Sequence, residues 1–153
     1  MDRGDYESAA QAFLKGSQLP NAHPGLKILA GRMAQKAGDL ETARMMWGVT
    51  YDTAGVASIK ENAALHLIAI QVAEDVTGLE KIVEMYRAQT GRLPSGFRDL
   101  AAVNTLAGIP ADPYGEAYVL NPDGTVVVRH PDKFRFLMKG LPKGYTPPVT
   151  ARD

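Results

Sequence analysis

Two stretches of this chain repeat at an offset of 34 residues. Gly38-Asp39-Leu40-Glu41-Thr42-Ala43-Arg44-Met45-Met46-Trp47 follows Gly4-Asp5-Tyr6-Glu7-Ser8-Ala9-Ala10-Gln11-Ala12-Phe13. The offset pairs Gly4 with Gly38, Asp5 with Asp39, Tyr6 with Leu40, Glu7 with Glu41, Ala9 with Ala43 and Phe13 with Trp47. Six matches at one spacing mark an internal repeat. A small residue stands four before an aromatic in each copy, and such units bury their apolar faces only against neighbours.

The repeats read as helices. Residues 5–19 carry Tyr6, Ala9, Ala10, Phe13 and Leu14 on one face, and Pro20 ends the run. Residues 24–37 form the next helix, with Leu26, Leu29, Ala30, Met33, Ala34 and Ala37 as its buried stripe. Gly38 reads as a left-handed C-cap and Asp39 as the N-cap of a helix over 40–53. Leu40, Ala43, Met46, Trp47 and Thr50 face inward there. A further pair is expected over 59–74 and 79–90. Ser58 and Glu61 form its capping box, Asp75-Val76-Thr77-Gly78 is the turn, and Leu79, Ile82, Val83 and Tyr86 point inward.

Over about residues 1–90 the chain resembles the tetratricopeptide repeat family. Gly31, Gly38, Ala43 and Trp47 carry the match in one unit, and Gly4, Tyr6, Ala9, Phe13 and Pro20 in the unit before. The resemblance implies a mainly α fold: an antiparallel helix-pair solenoid of about two and a half pairs. It implies a concave groove for a protein or peptide, lined by Ile28, Arg32, Gln35, Lys36, Asn62 and His66. Arg32 and Lys36, one turn apart, would hold a carboxylate. The first helix has no partner within its pair. Either the chain is a C-terminal piece of a longer protein, or the face of Tyr6, Ala10 and Phe13 pairs with another molecule, a second copy included.

The texture changes at Gly91, and eight of the ten prolines lie from there to the end. Residues 91–153 are expected to form a small cap on the helices of 1–90. Ser95–Leu100 begins a short helix or turn running toward Leu106. Asn121-Pro122-Asp123-Gly124 is a hairpin turn, so Ala117–Leu120 should pair with Thr125–Arg129. A lone hairpin is marginal in water and must pack on something, through Tyr118, Leu120, Val126 and Val128. The run Thr90-Gly91-Arg92-Leu93-Pro94, followed by Pro110-Ala111-Asp112-Pro113-Tyr114-Gly115 and Tyr118, resembles the globular part of type II secretion major pseudopilins over about 79–130. That family polymerises through a long apolar N-terminal helix; repeat-type helices stand in its place here. The resemblance points to a bacterial envelope setting.

Net charge is zero, with a net −2 over residues 1–90 and +2 over 91–153, so no overall field steers the chain to nucleic acid or anionic lipid. There is no cysteine for disulfides or thiol chemistry. His23, His66 and His130 have no ligand spacing with one another, and no nucleophile or phosphate-loop motif occurs. Asp112, Asp123 and Asp132 are oxygen donors of the kind calcium takes, although their spacing suits turn bonding better. The basic residues Arg129, Lys133, Arg135, Lys139 and Lys143 read as a solvated or partner-facing edge. The expected function is a protein-interaction or scaffold module without catalysis, cofactor or metal, inserting no segment into a membrane. The alternative is a non-catalytic regulatory or lid subunit of an enzyme complex.

Overall fold

The computed structural model describes residues 2–103 and 106–148. The chain is mainly helical with one small antiparallel sheet. In order come α1 (Arg3–Ser17), α2 (Gly25–Ala37), α3 (Leu40–Thr53), α4 (Ala57–Thr90), α5 (Phe97–Ala102), β1 (Val119–Leu120), β2 (Val126–Val127) and a 3-10 turn at Pro131–Lys133. Two compact units divide it, Met1–Ile70 and Gln71–Asp153. Helix α4 contributes its first part to one unit and the remainder to the other.

In the first unit, local signals set the helix ends. Asp2 caps α1, and the Asp5 carboxylate accepts from the Asp2 N–H at 3.1 Å, closing a capping box. Helix α2 stops at Gly38, whose φ of 81° is left-handed. The Asp39 carboxylate then accepts from the Thr42 N–H at 3.1 Å and starts α3. Arg3 closes the α2 end from outside. Its Nε donates to the Ala37 carbonyl at 2.6 Å, a cation at the negative end of a helix.

The core of this unit is built from small residues around one large one. Ala10, Ala34, Ala43, Ala63 and Ile70 surround Trp47, and Ile28, Met33, Leu40 and Leu67 pack against them. The close approach is visible at Gly31. A Cβ there would lie 3.0 Å from the Trp47 indole nitrogen. Of the stripe expected for α2, Ala30, Ala34 and Ala37 are buried and Leu26 and Met33 half-buried, while Leu29 is exposed; Gly31 and Gln35 are buried beside them.

Helix α4 corrects the expected helix pair, because residues 57–90 form one continuous helix with no turn at 75–78. Asp75 would have had to cap a new helix, but its carboxylate accepts from the Tyr118 hydroxyl at 2.7 Å and from Gln71 Nε2 at 2.8 Å. Thr77 donates its hydroxyl to the Ala73 carbonyl instead of leaving the helix. Gly78 lacks the positive φ that a C-cap would need. Beyond residue 70, Val72, Val76, Leu79, Val83 and Tyr86 make one buried stripe at helical spacing.

In the second unit that stripe receives the hairpin. Val119 pairs with Val127 and Leu120 with Val126, over a shorter length than the five-residue arm expected from Thr125 to Arg129. Tyr118, Val126 and Val128 are buried and Leu120 is half-buried. The Val126 N–H donates to Glu80 Oε1 at 3.2 Å, which ties the hairpin to α4. Gly140 closes the far side. Its carbonyl accepts from the Val128 N–H at 2.8 Å, and with φ at 83° a Cβ would come within 2.9 Å of Val76. The expected short helix is α5; positions 104 and 105 on the way to Leu106 lie outside the described residues.

Candidate functional site

The six residues expected to line a groove separate into two settings. Gln35 and His66 are buried, each about 6% exposed, and are joined directly: His66 Nδ1 is 2.8 Å from Gln35 Oε1. The His66 ring lies on the Trp47 indole, with centroids 3.8 Å apart and planes 7° from parallel. These two therefore leave the open face, because the start of α4 closes over the indole with His66. Arg32 and Asn62 are half-buried, and Lys36 is exposed. The Lys36 ammonium lies over the Tyr6 ring at 5.4 Å, a cation–π contact with a residue from the other predicted surface.

That other surface, Tyr6, Ala10 and Phe13, also divides. Ala10 is buried in the core of the first unit, which removes it from any outer face. Tyr6 and Phe13 are half-buried. Trp47 Nε1 is the reverse case, a buried N–H with no hydrogen-bond partner among the described residues. Leaving such a group unpaired costs about 1–3 kcal/mol. The position needs an aromatic ring for packing, and the indole brings its N–H along.

Ile28 lies elsewhere, in a cleft of about 570 Å³ at the end of the first unit where the connections α1–α2 and α3–α4 meet. The first connection supplies Leu19, Asn21, Ala22, His23 and Pro24, and the second Ala54 and Gly55. Ser17, Lys27, Thr50, Thr53 and Ile59 complete it from the helix ends. Leu19 is 65% exposed and Ile59 38%, so its rim is apolar and open. Three hydroxyls at the site are committed in the same way. Ser17 donates to the Leu14 carbonyl at 2.7 Å, Thr50 to Met46 at 2.8 Å and Thr53 to Val49 at 2.7 Å. Each proton is spent on the residue's own helix, and the oxygens keep acceptor capacity. His23 Nδ1 accepts from the Gly25 N–H at 3.0 Å, and Lys27 brings a cation. The cleft combines acceptors, one cation and apolar walls. Sequence reading missed all of it except Ile28, since it assembles from two linkers far apart in the chain. The available signal was antiparallel helix order, which brings alternate linkers to one end.

The second unit answers the remaining candidates. Asp112 is buried, and its carboxylate accepts from the N–H groups of Tyr114 at 2.8 Å and Glu116 at 3.1 Å. Asp123 accepts from the Thr125 N–H at 3.0 Å and hydroxyl at 2.6 Å, and these bonds hold its carboxyl below the usual carboxylate range. Both act as turn residues. Among the described residues no three acidic or histidine side chains form a group able to hold a metal ion. Tyr118 is shifted far upward, first by burial and then by its bond to the Asp75 carboxylate. In the basic edge, Lys133 pairs with Glu116 at 3.7 Å and Lys139 with Glu80 at 3.6 Å, while Arg135 lies over the Phe136 ring.

No family model matches the chain, and no curated protein or solved structure is found to be similar to it. Among the described residues no helix is long and apolar enough to cross a membrane.

Proposed function

We propose that this chain is a protein-interaction module, a helical scaffold of the tetratricopeptide type in its first unit, acting by binding and not by catalysis. The observation that carries this reading is the open cleft of about 570 Å³, rimmed by exposed Leu19 and Ile59. Its chemistry fits a segment of protein chain. Hydroxyl oxygens of Ser17, Thr50 and Thr53 suit backbone N–H groups, the apolar rim suits one or two hydrophobic side chains, and Lys27 suits a carboxylate. The 34-residue repetition supports the repeat-type reading. The pseudopilin-like texture of 79–130 supports a setting in a secretion or pilus assembly of a bacterial envelope.

The test is selection of peptides from a displayed random library on the intact chain, followed by binding to Leu19→Asp and Ile59→Lys variants. Both positions are exposed, so melting temperature should hold while affinity falls at least about 10-fold, a change of about 1.4 kcal/mol. Selected peptides that bind both variants as well as the parent would refute the cleft as the binding site.

A further inference from the structure

From the 3-10 turn at Pro131–Lys133 to Lys139 the chain carries four charges, and they divide into two kinds. Lys133 pairs with Glu116 and Lys139 with Glu80. Asp132 and Arg135 stand three residues apart, yet they pair neither with each other nor with any other charge among the described residues. Both line one cleft of about 290 Å³ in the second unit.

The other walls of this cleft are apolar or aromatic, with Phe134, Phe136, Leu141 and Tyr145 among them. Phe134 is buried and held by the Tyr114 ring, 5.0 Å between centroids. Phe136 has φ at 64°, a left-handed conformation that a bulky residue rarely adopts. In extended backbone consecutive side chains point to opposite faces. The turn at Phe136 instead puts Arg135 and Phe136 on the same cleft, with the guanidinium over the ring at 5.2 Å. Strain of this kind is kept where it aims side chains at a site.

The charges select the occupant. An acid and a base that do not neutralise each other ask for a molecule with both charges. A residue inside a chain carries neither on its backbone, and a chain end carries one. A free α-amino acid carries both on one carbon, a carboxylate for a guanidinium and an ammonium for a carboxylate. The cleft is at the lower end of the range for small-molecule sites, which suits a single residue, and its rings suit an aromatic side chain. We propose that this cleft binds a free α-amino acid with an aromatic side chain. Arg135 takes the carboxylate, Asp132 the ammonium, and Phe136 and Tyr145 the ring. The site is separate from the cleft of the first unit, and neither reading depends on the other.

The test is a titration of the intact, isotopically labelled chain with L-phenylalanine, followed by amide proton–nitrogen spectra. Saturable shifts are expected at Arg135, Phe136, Leu141 and Tyr145, with a Kd of about 1 mM or below. Arg135→Gln and Asp132→Asn should each weaken binding at least about 10-fold. Both positions are exposed, so the melting temperature should hold. In the parent, 3-phenylpropionate, which lacks the ammonium, and 2-phenylethylamine, which lacks the carboxylate, should each bind at least about 10-fold more weakly than L-phenylalanine. In Asp132→Asn the gap between L-phenylalanine and 3-phenylpropionate should close; a gap that persists there overturns the assignment. No saturation up to about 10 mM L-phenylalanine overturns the proposal. So does binding that survives both variants, or 3-phenylpropionate binding the parent as tightly as L-phenylalanine, which would make a plain aromatic acid the occupant.

Discussion

His66 lies flat on Trp47, 3.8 Å between ring centroids, and its Nδ1 meets Gln35 Oε1 at 2.8 Å. One residue of α4 thus joins the aromatic position of α3 to the buried face of α2. Replacing His66 with alanine removes the stack and opens a void beside the indole. The expected cost is about 2 kcal/mol or more, read from urea unfolding. Trp47 is the only tryptophan, so its emission should shift to the red in the folded variant. An unchanged spectrum and midpoint would mean the stack contributes nothing.

Gly31 is the second support of the same ring. Its missing side chain leaves the room that the indole fills, so Gly31→Ala gains helix propensity but presses a methyl to 3.0 Å from Nε1. The clash should win, with a net loss of about 1–3 kcal/mol. A variant as stable as the parent, or more so, would show that α2 can shift away without cost.

Continuity of α4 has a test of opposite sign. A Cβ at Gly78 meets nothing within 4 Å, and the residue is helical. Gly78→Ala should therefore stabilise the chain by about 0.5–1 kcal/mol, seen as a higher unfolding midpoint. Were residues 75–78 a turn with Gly78 left-handed, the same change would destabilise.

Tyr118 carries the pH dependence. Burial and the Asp75 carboxylate raise its folded pKa above that of the unfolded chain. The folded state holds this proton more tightly, so the contribution is complete below the unfolded value of about 10 and falls as pH rises past it. Thermal melts from neutral to about pH 11 should show a steeper alkaline loss in the parent than in Tyr118→Phe. The variant should be less stable at neutral pH by about 1–2 kcal/mol for the lost bond. Equal alkaline slopes would contradict this role.

What was legible in the sequence was local. Gly38 and Asp39 announced the α2–α3 junction, and the bounds of α3 follow from them. Asn121 to Gly124 announced the hairpin, with Gly124 at φ 89°. The failures were partnerships across the chain. Asp75 looks like a helix cap until Tyr118, 43 residues later, takes its carboxylate. Gln35 and His66 look like polar residues for a groove until each is seen to bury the other, 31 residues apart. The cleft is of the same kind, since the loop after α1 and the loop after α3 give no joint signal.

Binding of a protein segment in that cleft of the first unit, as proposed, can be tested residue by residue. The most direct measurement is a set of amide proton–nitrogen spectra of the labelled chain, titrated with a peptide selected on it. Binding in the cleft should concentrate the shifts at Leu19, Ala22, Ile28, Thr53 and Ile59 and leave the amides of the second unit unmoved. Shifts gathered in the second unit, with these five residues silent, would contradict it.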